Sequence, residues 1–166
     1  MKHSITIIIF IFCICFNLKA QAKKDIDFII SIDEKLPISS IYKTEIIANM
    51  EDGSEEIINI DYSPGSLSIN NTDFDKLQSS RVKSFKLKFN YTEICKNDNI
   101  DYSYEIELKK GWIKHYYFVL KIYNTDKKKY KKLFNPILDK NYTYEYYYPG
   151  GQMLRVTKKK RKECCR

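Results

Sequence analysis

Histidine is nearly missing from this chain, with His3 and His115 as its two copies, and glycine (5) and proline (4) are sparse among 166 residues. A catalytic triad would have to be built on one of those imidazoles, and no Gly-x-Ser-x-Gly elbow accompanies either; Gly65-Ser66-Leu67-Ser68 is a turn leading into a strand. No Cys-x-x-Cys or His-x-x-x-His spacing offers a metal site. The acidic pairs Asp25/Asp27 and Glu105/Glu107 alternate along strands instead of lining a liganding loop. The glycines stand singly or paired in turns, so no phosphate-cradling loop is present. Nothing selects two of the 21 acids as a carboxylate pair for glycoside hydrolysis. The expectation is a non-enzyme without metal or cofactor, with His115 a structural residue on a sheet face.

Apolar side chains, by contrast, crowd the start. Lys2 and His3 precede an almost unbroken apolar run from Ile5 to Leu18, about 14 residues, short of the roughly 20 that span a bilayer as a helix. Ala20-Gln21-Ala22 then supplies the small-x-small pattern of a signal peptidase site. Residues 1–20 therefore have the form of a signal peptide cleaved after Ala20 or Ala22, with an uncleaved anchor as the alternative. Cys13 and Cys15 follow the bulky Phe12 and Ile14, where an acylated cysteine would need a small residue before it, so both leave with the leader. Export to the periplasm or the medium follows, and no membrane-spanning segment remains after cleavage. The remaining chain of about 146 residues suits one domain.

Cleavage leaves three cysteines, Cys95, Cys164 and Cys165. An odd number in an oxidising compartment allows one disulfide with a thiol left over, or an intermolecular bond. Either Cys95 staples the C-terminal pair to the body or that pair ends a frayed tail.

Charge is unevenly spread. The leader takes Lys2 and Lys19, so the mature chain carries +6 of the formal +8. Residues 21–110 hold 12 Lys/Arg against 17 Asp/Glu, net −5, whereas residues 111–166 hold 15 against 4, net +11. Two runs dominate: Lys127-Lys128-Lys129-Tyr130-Lys131-Lys132 and Lys158-Lys159-Lys160-Arg161-Lys162. Such a field suits an anionic glycan, a lipid head group or an acidic protein; export argues against nucleic acid. The plainer reading is a solvated turn and a disordered basic tail over residues 158–166.

The Lys-Ala-Gln-Ala end of the leader and the Ile-, Lys-, Asn- and Tyr-rich composition resemble those of uncharacterised small exported β-rich proteins of Bacteroidota such as flavobacteria. That resemblance implies export and no particular activity.

Through residues 21–157 the pattern alternates with the period of two expected of strands. Asp25–Asp33 is β-rich and stops at Leu36-Pro37; Tyr42–Met50 and Glu56–Tyr62 flank Glu51-Asp52-Gly53-Ser54, a hairpin turn. Leu67–Asn70 forms a short strand, and Thr72–Leu77 is the one helical turn, with Thr72 and Asp75 as an imperfect capping box. Arg81–Tyr91 sets Phe85, Leu87, Phe89 and Tyr91 against Lys86, Lys88 and Asn90, a strand with one wet face. Asp101–Leu108 alternates in the same way, and Trp112–Tyr123, apolar on both faces, is the central strand of its sheet. Tyr142–Tyr148 and Met153–Thr157 close the domain.

About eight or nine strands with almost no helix predict an all-β fold, an antiparallel, immunoglobulin-like β-sandwich behind the signal peptide. An outer-membrane barrel fits poorly, because the turn and tail are lysine-rich and the chain ends in Arg166.

Two features are candidate binding surfaces. One is the row Tyr142, Tyr144, Tyr146 and Tyr148 on a single strand face, of which Tyr144 and Tyr146 are central; exposed, it suits a sugar or a protein, and otherwise it is core with hydroxyls reaching the rim. The other is the basic run Lys127, Lys128, Lys129, Tyr130, Lys131 and Lys132, flanked by Tyr123 and Phe134. The expected function is a non-catalytic binding or interaction protein of the cell envelope that meets an anionic partner through its basic C-terminal third. The alternative is a secreted hydrolase or enzyme inhibitor.

Overall fold

Among the described residues, alternating apolar side chains produce ten strands in two stacked sheets. The structure, a computed structural model, describes residues 22–95, 98–155, 157 and 158. The strands are β1 (Lys23–Ile32), β2 (Ile41–Met50), β3 (Glu55–Asn59), β4 (Asp61–Ser63), β5 (Gly65–Asn70), β6 (Val82–Ile94), β7 (Asn99–Leu108), β8 (Tyr117–Asn124), β9 (Tyr142–Tyr148) and β10 (Gly151–Met153). Helices α1 (Asn71–Gln78) and α2 (Lys128–Leu133) and a 3-10 turn (Lys110–Lys114) interrupt them. One sheet has the order β10-β9-β8-β1-β5-β4 and the other β3-β2-β6-β7.

Several expectations hold. Asp52-Gly53 turns β2 into β3, with Gly53 at φ +85° and Asp52 Oδ1 accepting from Ser54 N at 2.9 Å. The face Phe85, Leu87, Phe89 and Tyr91 of β6 is buried, as is Phe118, Leu120 and Ile122 of β8, an interior strand of its sheet.

Others are corrected. The expected return strand Glu56–Tyr62 breaks at Ile60: β3 pairs with β2 in one sheet and β4 with β5 in the other. Buried Ile58 precedes that crossing and buried Ile60 sits at it, so one alternating run serves two sheets. The sandwich is not purely antiparallel, because β1 and β8 pair in parallel from Asp27/Tyr117 to Ile32/Ile122. The strand placed at Trp112–Tyr123 starts at Tyr117; Trp112 and Ile113 lie on the 3-10 turn and are buried from there. Helix α1 has Asn70 at its N-cap with no side-chain cap bond, so the Thr72/Asp75 capping box does not form; α1 is held by burying Phe74 and Leu77.

The sheets share one core. Phe28 of β1 stacks on Phe118 of β8 at 4.9 Å between ring centroids, and Trp112 meets both edge-on. Across the sheets, Tyr104 of β7 meets Tyr142 of β9 edge to face at 5.0 Å.

Candidate functional site

The chain between β8 and β9 contains neither glycine nor a β-branched residue from Asp126 to Phe134, and lysine is a good helix former. It folds as α2, which stops ahead of Asn135-Pro136 because a residue before proline avoids helical angles. The solvated turn expected of so charged a run is a helix instead. Helical spacing then sorts the six residues of the basic run into two faces.

One face turns inward. Tyr130 is buried and, with Phe134, packs on Tyr123 of β8 at centroid distances of 5.3 and 4.7 Å. Lys127, just before the helix, donates to Asp33 at 2.8 Å and to both carboxylate oxygens of Glu93 at 2.7 Å. Asp33 also accepts from the backbone N and the Nδ2 of Asn124, both at 2.8 Å, and Asn124 Oδ1 accepts from the Tyr104 hydroxyl at 2.9 Å. This network joins β6 and β7 of one sheet to the ends of β1 and β8 of the other. Burial by itself would lower the Lys127 pKa, but its bonds to Asp33 and Glu93 outweigh burial and raise it. Lys127 is thus spent internally. Lys129 is exposed and lies off this face; it pairs with Glu34 and stands 5.1 Å over the Tyr130 ring.

The other face turns outward. Lys128, Lys131 and Lys132 are spaced i, i+3 and i+4 and are exposed, and no described acid pairs with them. Lys158 Nζ donates to the Lys131 carbonyl at 2.7 Å, bringing the start of the second basic run to the same place. A shallow cavity of about 470 Å³ beside them is lined by Thr125, Lys131, Phe134, Lys140 and Lys158, with Asp126 and Asp139 on its wall.

The tyrosine row does not form an exposed platform. Tyr142, Tyr144 and Tyr146 are 2, 6 and 3 % exposed. The hydroxyls of Tyr142 and Tyr144 reach the free edge of β7. Tyr142 Oη accepts from Glu105 N at 2.8 Å and donates to Glu105 O at 2.9 Å, and Tyr144 Oη accepts from Glu107 N at 3.2 Å. An edge strand left bare is a template for pairing with another chain, and these hydroxyls occupy two of its donors and one of its acceptors. Tyr62 serves β1 in the same way, accepting from Ile30 N at 3.2 Å where β5 no longer covers it. Beyond Glu107 the edge ends, and Tyr144 and Tyr146 line a groove of about 320 Å³ with Lys86, Lys109 and Met153.

His115 is not on a strand face but exposed on the turn after the 3-10 segment, its ring 5.7 Å from that of Tyr148. Among the described residues no group of three His, Cys, Asp or Glu is placed to hold a metal ion. Cys95 is exposed at the end of β6. Cys164 and Cys165, which either bond to it or end a frayed tail, lie outside the described residues, as do the leader and the tail from residue 159. No helix among the described residues is long and apolar enough to cross a membrane.

Alternation could not reveal the division of labour within the basic run, because Lys127 and Lys128 are adjacent and chemically identical in sequence. No protein-family model, curated protein sequence or solved structure matches this chain.

Proposed function

We propose that this is an exported, non-catalytic binding module of the cell envelope, periplasmic or secreted, that meets an anionic partner through its basic C-terminal third. The observation that carries the reading is the outward face of α2, where Lys128, Lys131 and Lys132 project with no ion pair to a described acid. Folded proteins compensate the charges they use for packing, as Lys127 and Lys129 are compensated here. An uncompensated triplet on a helix held by Tyr130 and Phe134 is a surface with attraction to spare.

An immunoglobulin-like arrangement belongs to the same proposal. It is supported by two sheets over one core, with the chain passing between them after β1, β3, β5 and β7. The leader-like start, Lys2 to Ala22, supports export. The non-catalytic reading rests on the sequence, which offers one imidazole after the leader, His115, and no Gly-x-Ser-x-Gly elbow.

Chromatography on immobilised heparin tests the reading. The mature chain is expected to be retained at low salt and released as ionic strength rises, and the triple variant Lys128→Glu/Lys131→Glu/Lys132→Glu to pass unretained. Identical elution of the two proteins sinks the proposal.

A further inference from the structure

The basic face has apolar neighbours. Strands β1 and β8 run in parallel and finish together at Ile32 and Asn124, and β9 starts opposite Asn124. In the other sheet β2 starts, β6 ends and β7 starts at this same end. Two contacts fix that registry: Lys127 reaches both Asp33 and Glu93, and Thr92 N donates to Ser40 O at 3.0 Å. The loop after β1, the β6–β7 hairpin and the α2 region therefore share one end of the sandwich.

Each of the three carries large aliphatic side chains into solvent. Leu36 and Ile38 on the first are 65 and 80 % exposed, Ile94 on the second is 78 % exposed, and Leu138 on the third is 85 % exposed. At the opposite end the exposed large apolar side chains are aromatic and have ring partners: Tyr116 is stacked on Phe74, and Tyr147 meets Tyr117. Exposed Lys35 precedes Leu36, and Lys128, Lys131 and Lys132 stand on the α2 region with Leu138.

Resting on the reading proposed above, we infer that the anionic partner is a lipid bilayer surface, and that Leu36, Ile38, Ile94 and Leu138 enter its interface while the lysines contact anionic head groups. The combination selects this partner. A sulfated or acidic glycan has no use for bare aliphatic tips. A folded protein presents one rigid complementary patch, whereas aliphatic tips on three separate segments near lysines match a fluid surface that closes around each tip. Apolar insertion together with electrostatic attraction is the two-part recipe for interfacial binding, since each alone is weak.

The test is co-sedimentation of the mature chain with vesicles of phosphatidylcholine alone and of phosphatidylcholine with phosphatidylglycerol. Binding is expected to the anionic vesicles and to fall with salt. Ile38→Asp and Ile94→Asp are each expected to weaken it about tenfold, the worth of one apolar side chain removed from water. Lys128→Gln/Lys131→Gln/Lys132→Gln is expected to weaken it roughly a hundredfold. As a gain-of-signal measurement, Leu138→Trp is expected to show a blue shift on anionic vesicles and quenching by brominated acyl chains.

Retention on heparin without vesicle binding overturns the lipid assignment and leaves the broader reading standing, while failure of both overturns both. Vesicle binding indifferent to Ile38→Asp and Ile94→Asp, or self-association that those substitutions abolish, overturns the assignment of this end.

Discussion

Removing one hydroxyl at a time from the tyrosine row tests whether Tyr142 and Tyr144 cap the β7 edge. Tyr142→Phe keeps the buried ring and its edge-to-face contact with Tyr104, but deletes the oxygen that both accepts from Glu105 N and donates to Glu105 O. Each such bond is worth about 1 kcal/mol net, and a backbone group left unpaired costs about 1–3 kcal/mol when water cannot reach it. Glu105 is only half-buried, so water recovers part of the loss and the expected cost is about 2 kcal/mol. Tyr144→Phe deletes one longer bond, to Glu107 N at 3.2 Å, and should cost about 1 kcal/mol. Tyr146→Phe touches no edge group and should cost less than about 0.5 kcal/mol. Urea unfolding followed by Trp112, the one tryptophan and fully buried, reads all three. The thermal midpoint of Tyr142→Phe should fall by roughly 4–8 °C. Equal costs at 142, 144 and 146, or none at 142, would refute edge capping. A cost at 142 accompanied by concentration-dependent association of the double variant Tyr142→Phe/Tyr144→Phe would strengthen it, since a bared edge recruits other strands.

The basic run should divide by stability as it divides by geometry. Lys127→Met leaves the nearly buried Asp33 facing Glu93 without its cation and is expected to cost about 2–3 kcal/mol, reduced from the cost of a fully buried pair because Lys127 is about one-third exposed. Lys128→Met should stay within about 0.5 kcal/mol in the same denaturation assay. Alkali should unfold the protein cooperatively. Burial, reinforced by the nearby Glu145 carboxylate, pushes Tyr123 up to about 12, and burial also raises Tyr104 despite its bond to Asn124. Folded pKa values above the unfolded ones mean that this stability is complete below about pH 10 and is lost as the pH climbs through 12; Lys127, also raised, loses its charge in the same direction. Tyrosinate absorbance and circular dichroism should therefore change together, and ionisation of all tyrosines near pH 10 with the fold intact would contradict the burial of Tyr104 and Tyr123.

Much of this was legible from period alone. The hairpin at Asp52-Gly53 and the faces of β6 and β7 follow from alternation and one turn signal, because a strand buries every second residue whatever its partner, and the interior place of β8 follows from its apolar residues on both faces. Where the reading failed, the local pattern had two solutions. The run Glu56–Tyr62 alternates without a break, yet changes sheets at Ile60, and alternation does not encode a corner. Lys127–Leu133 lacks the apolar stripe that marks a helix, since Tyr130 alone is buried within α2. The parallel pairing of β1 with β8 joins residues some 90 positions apart, and no local feature of Asp27 or Tyr117 announces it.

The candidate site divides along the same line. By itself the sequence determined that the C-terminal third is strongly basic, that four tyrosines share one face of β9, and that the strands pack as layers, because charge, spacing and turn chemistry are local properties. Tertiary structure decided which lysines remain free, that the tyrosine hydroxyls seal an edge, and that Leu36, Ile38, Ile94 and Leu138 stand exposed at one end. A side chain's work depends on what lies opposite it, and here Asp33, Glu93 and Glu105 arrive from strands far away in the chain.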